Sequence, residues 1–254
     1  MDFFDCNACF GISQVPLSLR QATTAEELLQ EMEFCGIGEA LVYHIAMRDD
    51  SPLVGNELLS KSIQGSENLH GSWAIVPCQT GEQEPSHAFL RKMRQHGIRA
   101  LRAFPSKHRY LLDGIAFGQL FRALEKRKIP LFLSIAESSG GRAGWALVEQ
   151  LLLEFPRLVL VATDHGPWGD DRFFRPLLDR FKGLHIDTSR YELDGGIADF
   201  CDRYGAKRIL FGTGFPAANM GGALLTLSSA EISKKEKELI ASRNLRRLLE
   251  ASSP

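Results

Sequence analysis

The feature that most constrains the fold is a regular alternation of short apolar runs with longer amphipathic stretches. The runs are rich in branched and aromatic residues, whereas the stretches between them carry helical periodicity. Eight strands are predicted, at Asp2–Asn7, Glu39–His44, Ser72–Val76, Ile98–Phe104, Pro130–Ile135, Leu158–Thr163, Leu184–Thr188 and Arg208–Thr213. Eight strand–helix units in a chain of 254 residues are typical of a TIM barrel. We therefore predict an α/β fold, a single-domain (β/α)8 TIM barrel that spans residues 1–254.

Helix signals fall between the predicted strands, where a barrel needs them. Thr24 and Glu27 form a capping-box sequence at the start of the first helix, and Gly36 is placed to end it. Other helices are predicted at Ser86–His96 and Asp113–Arg127, and a last helix or helix pair is predicted at Ser233–Glu250. No internal repeat, low-complexity tract or linker interrupts this pattern, which favours one domain.

Composition and charge narrow the range of partners. Hydrophobic residues make up 44% of the chain and charged residues 24%, which suits a globular domain with a large core. The net charge is −1 and basic residues are interspersed with acidic ones, so no partner nucleic acid or anionic membrane is expected. No apolar run reaches the roughly 18 residues of a spanning helix, and no signal peptide is recognised. We expect a cytoplasmic protein with a small-molecule substrate, and a homo-oligomer stays an open alternative.

The five cysteines are expected to be free thiols. Their number is odd, and a chain of this length does not need disulfides to be stable. Cys6 and Cys9 form a C-x-x-C sequence, but residues three apart in an extended strand point to opposite faces. They are therefore not expected to share a metal or a disulfide. Cys9 is expected to be a small packed side chain rather than a nucleophile.

Polar residues near the carboxyl ends of the predicted strands indicate where a site would lie. In enzymes with this fold the active site is at that end of the barrel, and alternation along each strand predicts which side chains point inward. Arg102 is predicted to face the interior, where its guanidinium fork suits a substrate carboxylate. The predicted inward set is Asn7, Cys9, His44, Arg102, Ser134, Asp164 and Asp187. A purely structural ion pair of Arg102 with one of the aspartates is the alternative.

Two members of this set depend on the alternation being correct to one residue. His44 is predicted to share the inward face of its strand with Val42, and Asp164 is predicted to share its face with Ala162. His165 then lies beside Asp164 at the mouth of the barrel. Histidines in strand-to-helix loops need no core role, which favours a function for both histidines.

Two loops at the barrel mouth carry further candidates. In the loop Phe104–Tyr110, His108 and Tyr110 are predicted to bind substrate or to stabilise negative charge as hydrogen-bond donors. The alternative is that Tyr110 packs in the core and His108 is solvated. The second loop, Asp164–Arg172, combines acidic, basic and aromatic residues with two glycines, as a loop shaped over a pocket does. Trp168 in this loop is a candidate for an apolar wall of the pocket.

The N-terminal sequence Asp5-Cys6-Asn7-Ala8-Cys9-Phe10-Gly11 resembles the Asp-x-His-x-His-x-Gly motif that opens metal-dependent amidohydrolases. Phe155–Leu158 resembles that family's lead-in to strand six, and Arg208–Pro216 resembles its strand-eight sequence Arg-x-Leu-Phe-Gly-Ser-Asp-x-Pro. Asn244–Leu249 is similar to its closing Asn-x-x-Arg-Leu helix. The resemblance extends over essentially the whole chain. It implies the amidohydrolase-related family, in the branch that contains aromatic-acid decarboxylases and metal-dependent hydrolases.

The resemblance also implies a metal site, but its ligands are almost all replaced. The replacements are Asn7 and Cys9 at the two strand-one histidines, Ser134 at the strand-five histidine, Asp164 at the strand-six histidine and Gly214 at the strand-eight aspartate. A divalent metal needs about three or four protein ligands of suitable type. We therefore expect no cofactor. A substitute zinc cluster of Cys9, His44, Asp164 and His165 is the alternative.

These observations favour an enzyme of amidohydrolase ancestry that hydrolyses a small, anionic molecule. The resemblance extends to lactonases that work without metal, using an aspartate to activate water and cationic side chains to hold charge. The expected catalytic residues are Asp164 or Asp187 as general base, with His44 and His165 as acid or electrostatic partners. The expected substrate-binding residues are Asn7, Cys9, Arg102, His108, Tyr110 and Ser134. Two alternatives stay open, a decarboxylase-type lyase of the same family and a non-catalytic barrel that binds a metabolite.

Overall fold

Eight parallel strands form the wall of a barrel. The computed structural model describes residues 1–14, 20–138, 141–166 and 170–254. The strands are β1 Phe4–Phe10, β2 Glu39–His44, β3 Leu69–Ala74, β4 Ala100–Ala103, β5 Leu131–Ser134, β6 Leu160–Thr163, β7 Leu184–Asp187 and β8 Ile209–Leu210. Each strand pairs with the next in sequence order. Hydrogen bonds from Cys6 N–H to Phe211 O (2.8 Å) and from Cys9 N–H to Phe215 O (3.0 Å) close the barrel.

Helices surround the barrel and connect successive strands. In the part of the chain that the structure describes, they are α1 Ala25–Cys35, α2 Ala46–Asp49, α3 Pro52–Ser62, α4 Ser86–Gln95, α5 Pro105–His108, α6 Gly114–Arg127, α7 Gly141–Glu154, α8 Asp171–Arg180, α9 Gly196–Tyr204, α10 Met220–Ser229, α11 Lys234–Glu238 and α12 Asn244–Ala251. Parallel neighbours need a crossover connection, which these helices provide. The predicted (β/α)8 TIM barrel is confirmed. Of the described helices, none has the length and apolar character to span a membrane.

Capping residues begin and end helices where the sequence predicts. The Thr24 hydroxyl accepts a hydrogen bond from Glu27 N–H at 3.2 Å, and Gly36 ends α1 in the left-handed conformation, with φ of 73°. The Asp113 carboxylate accepts two backbone N–H bonds, both at 3.0 Å, at the start of α6. The prediction of a last helix or helix pair over Ser233–Glu250 is confirmed as a pair, in which a π-helical turn separates α11 from α12.

Two apolar layers build the core. The larger layer lies between the strands and the surrounding helices. A smaller cluster fills the barrel interior and consists of Phe4, Cys6, Leu41, Ala100, Phe132, Val161 and Leu210, with Leu245 and Leu249 of α12. Helix α12 also reaches Glu39, the first residue of β2, through an ion pair from Arg246 at 2.6 Å. It therefore covers the amino-terminal end of the barrel, and the interior is packed rather than open.

A bulge in β1 changes which side chains enter the barrel. The sequence predicts a strand at Asp2–Asn7, whereas β1 extends to Phe10, and its register with β2 shifts in the middle of the strand. A bulge adds a residue to one strand and breaks the alternation of faces. Cys6 packs in the interior cluster and Cys9 lines a cavity at the barrel mouth. The prediction that these cysteines point to opposite faces is therefore wrong. All five cysteines are free thiols, as predicted.

The end of β8 also differs from the prediction, which places it at Thr213. Regular pairing stops at Leu210, and beyond it the Asp5 side chain adds to the backbone hydrogen bonds that connect the chain to β1. Thr213 N–H donates to Asp5 Oδ1 at 3.0 Å, and Asn7 N–H donates to the same oxygen at 2.8 Å. Asp5 is fully buried, and it therefore fixes β1 to the chain that follows β8. The other strands lie within a few residues of their predicted bounds.

Candidate active site

Two adjoining cavities lie at the carboxyl ends of the strands. The inner cavity has a volume of about 100 Å³, and the predicted site residues that line it are Asn7, Cys9, Arg102, Ser134 and Asp164. The outer cavity, of about 470 Å³, contains His108 and shares Arg48 and Glu137 with the inner one. A larger cavity of about 820 Å³ lies outside the barrel between α3 and α4 and contains none of the predicted site residues. The inner cavity is therefore the candidate active site.

Arg102 projects from β4 to the inner cavity, as predicted, and three hydrogen bonds hold its guanidinium. Nε donates to Ser72 Oγ at 2.9 Å, Nη1 donates to Asn7 Oδ1 at 3.1 Å, and Nη2 donates to the Cys6 carbonyl at 2.8 Å. The residue is only 3% exposed. A guanidinium has five N–H donors, so two of them have no hydrogen bond among the residues described and can bind a ligand.

Two aromatic rings contact the same guanidinium. Its Cζ lies 4.8 Å from the centroid of the Tyr43 ring and 4.9 Å from that of the Phe132 ring. Cation–π contacts of this kind offset part of the cost of burying a charge. Within the described ranges, the hydrogen-bond partners of Arg102 are an amide, a hydroxyl and a carbonyl, with no carboxylate. The alternative of a direct structural ion pair with Asp164 or Asp187 is therefore wrong.

Asp164 lines the inner cavity, and three donors surround its carboxylate. Asn7 Nδ2 donates to Oδ1 at 2.8 Å, and the Thr163 hydroxyl donates to Oδ2 at 3.1 Å. The Ser189 hydroxyl lies 3.3 Å from Oδ1 and also accepts the Asp164 N–H at 3.2 Å. Asn7 thus uses both ends of its amide, accepting from Arg102 and donating to Asp164. The cation and the carboxylate are held in one network through a single side chain.

Asp164 reaches the cavity by a different route from the one that strand alternation predicts. Ala162, expected on the same face, packs in the outer core layer, whereas Val161 packs inside the barrel. Asp164 has a φ of 51°, and this left-handed conformation turns its side chain toward the mouth. Such a backbone costs about 1–3 kcal/mol at a residue other than glycine and is concentrated at functional sites. The face prediction is wrong, although the predicted residue is at the cavity.

Asp187 lies behind the cavity wall rather than on it. It is fully buried, and its Oδ1 lies 2.9 Å from the Ser189 hydroxyl. Its Oδ2 has no hydrogen-bond partner among the residues that the structure describes. Burial, followed by the neighbouring Asp164 carboxylate, raises the pKa of Asp187 well above its usual value. A raised pKa favours the protonated form of Asp187, which does not suit the predicted role of general base.

His44 points away from the cavity, contrary to the prediction. Val42 packs in the outer core layer, and it is Tyr43 that lines the cavity, so the inward face of β2 is shifted by one residue. The His44 ring contacts Phe10 edge-on at 5.3 Å, and its Nδ1 accepts the Ala46 N–H at 3.2 Å. Burial lowers its pKa, which keeps the ring neutral at neutral pH. Its placement does not support a role as catalytic acid.

His165 is also outside the cavity, in an aromatic cluster between the barrel and its helices. The ring is fully buried against Trp145, Phe174 and Tyr191, with centroid distances of 6.2, 5.4 and 5.5 Å. Its Nε2 lies 2.9 Å from the backbone carbonyl of Asp187. Burial lowers its pKa below the usual histidine range. The prediction that His165 lies beside Asp164 at the mouth is wrong, because the turn at Asp164 sends the next side chain outward.

The two candidate substrate-binding residues in the loop after β4, His108 and Tyr110, lie in different surroundings. His108 lines the outer cavity, where its Nε2 lies 2.7 Å from the Met47 carbonyl. The Tyr110 hydroxyl accepts the Phe104 N–H at 2.9 Å, and its ring packs on Phe117 at 5.4 Å. Tyr110 therefore has the packing role given as the alternative, and the prediction that it binds substrate is not supported by its position. Trp168 lies outside the described residues.

Some residues of the site were not identified from the sequence. Tyr43 and Ser72 contact Arg102, and a one-residue shift in β2 would have indicated the tyrosine. Arg48 and Glu137 form an ion pair at 3.3 Å where the two cavities meet. Arg48 lies in α2 and Glu137 follows β5, far apart in sequence, and no local motif connects them.

Sequence comparison assigns the chain to a family. The profile described as Amidohydrolase matches residues 70–251, which is more than half of the chain. The chain belongs to the amidohydrolase family. No curated protein matches it.

Solved structures with the same fold include two decarboxylases and an uncharacterized barrel protein. A 2,6-dihydroxybenzoate decarboxylase from Rhizobium is 17% identical, with a TM-score of 0.76 and 98% of each chain covered. A dihydroxybenzoic acid decarboxylase from Polaromonas, with bound manganese, is 14% identical, with a TM-score of 0.76 over 98% of this chain and 97% of that one. An uncharacterized TIM-barrel protein from Bordetella bronchiseptica is 19% identical, with a TM-score of 0.74 and 99% of each chain covered. These likenesses show the shared barrel.

The amidohydrolase ligand positions converge in this chain, but the groups there do not fit a divalent metal. Asn7, Cys9, Ser134, Asp164 and Gly214 all line the inner cavity. Burial raises the pKa of the Cys9 thiol to about 11, so it is not a thiolate at neutral pH. Asp164 is the one carboxylate of the five, and Asn7 is already bonded to a permanent cation. In the described part of the chain, no group of three His, Cys, Asp or Glu residues is arranged to hold a metal.

The alternative zinc cluster is not formed. Two of its four members, His44 and His165, point away from the cavity that contains Cys9 and Asp164. A metal bound by all four side chains would require the end of β2 and the residues after β6 to adopt a different conformation. Among the described residues, the permanent cations that line this cavity are the guanidinium groups of Arg48, Arg102 and Arg190.

Proposed function

We propose that this amidohydrolase-family protein is a decarboxylase-type lyase that acts on a small carboxylic acid without a metal at the family position. The observation that carries the proposal is the Arg102–Asn7–Asp164 network, in which one amide joins a guanidinium to a carboxylate at the wall of one cavity. A fixed cation and an adjacent acid–base group suit a reaction in which negative charge develops and a proton is transferred.

Arg102 stabilises the charge that develops as the carbon–carboxyl bond breaks. The electron pair of that bond is delocalised from the substrate carbon onto a conjugated carbonyl oxygen, which becomes negative beside the two remaining N–H groups of Arg102. The guanidinium does not hold the leaving carboxylate, because that ion pair would stabilise the substrate more than the transition state. Asp164 gives a proton to the carbon, and carbon dioxide leaves.

The shape of the cavities and the relatives support a flat substrate. Tyr43, Phe104 and Phe132 line the inner cavity. Two of the similar structures are decarboxylases of dihydroxybenzoic acids. The inner cavity, of about 100 Å³, is small for a binding site, whereas the adjoining 470 Å³ brings the total into the range of roughly 300–1,000 Å³ for small-molecule sites. The reacting group would occupy the inner part and the rest of the substrate the outer part.

Metal-independent hydrolysis is the second candidate, and the hydrogen bonds of Asp164 favour it. Three donors converge on this carboxylate and hold it in place at the cavity wall. An ionised Asp164 can take a proton from a water molecule as the water oxygen attacks a carbonyl carbon. Arg102 would then stabilise the oxyanion. A lactone or ester of a small acid is the substrate class for this reaction.

Product analysis separates these functions. Chelator-treated protein is incubated with a panel of hydroxybenzoic acids and small lactones, and both carbon dioxide release and hydrolysis are measured. Carbon dioxide release that is lost in Asp164→Asn supports the lyase, whereas hydrolysis without carbon dioxide supports the hydrolase. Ligands that raise the melting temperature but are never converted support the metabolite-binding barrel. Ser138→Ala is the control, since this buried hydroxyl has no hydrogen-bond partner among the described residues.

A further inference from the structure

The hydroxyl group of Ser189 lies between the carboxyl groups of Asp164 and Asp187. Ser189 Oγ is 2.9 Å from Asp187 Oδ1 and 3.3 Å from Asp164 Oδ1. The same oxygen accepts the Asp164 N–H at 3.2 Å. Asp164 lines the inner cavity, whereas Asp187 and Ser189 are buried behind it. The three side chains form a continuous path from the cavity into the barrel.

Counting donors and acceptors along this path places one proton on Asp187. A serine hydroxyl has one hydrogen to donate and two lone pairs that accept. With both aspartates ionised, Ser189 could donate to only one of them, and the other contact would be oxygen against oxygen. Asp164 has two further donors, from Asn7 and Thr163, whereas the donors to Asp187 are the hydroxyl and backbone N–H of Ser189, and its Oδ2 has no partner among the described residues. The extra proton therefore belongs on Asp187, which donates to Ser189, and Ser189 donates to Asp164.

The surroundings of Asp187 favour its neutral form. The titratable groups that face it are Asp164 from the end of β6 and Asp5 and Cys6 from β1. A side chain at position 212, beyond β8, would collide with Asp187 Oδ2, and glycine is found there. No lysine or arginine forms an ion pair with Asp187 in the described part of the chain, so an ionised carboxylate would be buried without compensation.

We propose that Asp187 and Ser189 are positioning residues that form a proton relay to Asp164. The O–H bond of Asp187 breaks as its proton moves to Ser189 Oγ, and the Ser189 proton moves to Asp164 Oδ1. The electron pairs stay on the oxygens, and the net change is the transfer of one proton from Asp187 to Asp164. After the product leaves, a proton from water in the cavity returns by the reverse route.

The role of this relay rests on the proposed function, because decarboxylation consumes one proton for each turnover. Replacing the lost carboxyl group by hydrogen requires an acid at the substrate carbon. Once Asp164 has given its proton to the substrate carbon, it needs a source of protons before the next turnover. The relay supplies that proton from a group that water in the cavity does not contact directly.

Infrared spectroscopy tests the position of the proton without any substrate. At about pH 7, the spectrum of the wild-type protein minus that of Asp187→Asn is expected to contain the carbonyl band of a protonated carboxylic acid. Wild type minus Asp164→Asn is expected to contain carboxylate bands instead. A difference spectrum for Asp187→Asn without the acid band overturns the proposal. Should that variant fail to fold, Ser189→Ala decides: a shifted acid band supports the relay, and an unchanged band overturns it.

Kinetics test the relay itself once a converted substrate is known. Asp187→Asn and Ser189→Ala are each expected to lower kcat by about 100-fold with little change in KM, because they remove proton supply and not binding. The double variant is expected to be no slower than either single variant, and Ser138→Ala is expected to match the wild type. Additive losses, or losses in KM alone, would overturn the relay. A protein with the acid band but no turnover of any substrate would contradict the proposed function and leave the proton assignment standing.

Discussion

Replacing Arg102 by methionine tests how much the hydrogen bonds of Arg102 contribute to the free energy of unfolding. The substitution removes three hydrogen bonds from a charged donor, to Ser72, Asn7 and the Cys6 carbonyl. Each such bond contributes about 1.5–3 kcal/mol, but methionine also removes a charge that is costly to bury. Ser72 keeps one hydrogen bond, to the Val42 carbonyl at 3.0 Å. We therefore expect the free energy of unfolding to fall by about 2–4 kcal/mol.

Urea unfolding and thermal denaturation measure this change. For a domain of this size the melting temperature should fall by roughly 5–15 °C, since each kcal/mol corresponds to about 2–4 °C. Arg102→Lys keeps the charge but loses the fork, and it should fall between the wild type and the methionine variant. A methionine variant as stable as the wild type, or more stable, would refute the reasoning. It would mean that the three bonds only repay the cost of burying the guanidinium.

Three further predictions concern other parts of the structure. Gly214→Ala should lower the free energy of unfolding by about 1–3 kcal/mol and reduce turnover, because φ at this position is 71° and the new Cβ would lie 3.2 Å from Ser189 Cβ. Wild-type kinetics and stability in this variant would contradict the prediction. Tyr110→Phe should lower the free energy of unfolding in urea by about 1–3 kcal/mol, because it leaves the Phe104 N–H unpaired, and the kinetics should not change. A raised KM would instead support the substrate contact that the sequence suggests. Burial lowers the pKa of His185 from 6.5 to about 4, so the unfolded chain binds a proton in this interval that the folded chain does not. Stability should therefore be complete above about pH 6.5 and decrease as the pH falls toward 4, and His185→Gln should weaken that decrease; an identical pH slope in the variant would argue against it.

The barrel could be predicted from the sequence because its signals repeat. Each of the eight strands is an apolar run followed by a helix, and an error of a few residues in one bound does not change the count. The caps at Thr24 and Asp113 are local interactions between residues close in sequence, so the chain itself displays them. The family motifs at both ends of the chain indicate which predicted strands are the first and the last of the barrel.

The site was harder to predict because it depends on single residues. In β2 a shift of one residue exchanges His44 for Tyr43 at the cavity. In β1 a bulge turns Cys6 and Cys9 to the same side, and a bulge has no reliable sequence signal. Asp164 enters the cavity through a left-handed backbone conformation, which also sends His165 outward.

Other features of the site depend on contacts between distant segments. The hydrogen bond between Asn7 and Arg102 joins residues on β1 and β4, and the Asn7–Asp164 bond joins the two ends of the network across the barrel. Strand alternation correctly indicated that Arg102 points inward. It could not indicate that an amide rather than a carboxylate would be the partner of Arg102, because that depends on which side chains meet in three dimensions.

The most direct test of the account is carbon dioxide release by protein whose metal content has been measured. Chelator-treated wild-type protein, shown by elemental analysis to contain far less than one equivalent of zinc, manganese or iron, should decarboxylate a small hydroxy acid, and Asp164→Asn should not. Added metal should leave the rate unchanged. Activity that appears only when manganese or zinc is restored would contradict the claim that the Arg102–Asn7–Asp164 network takes the place of the metal.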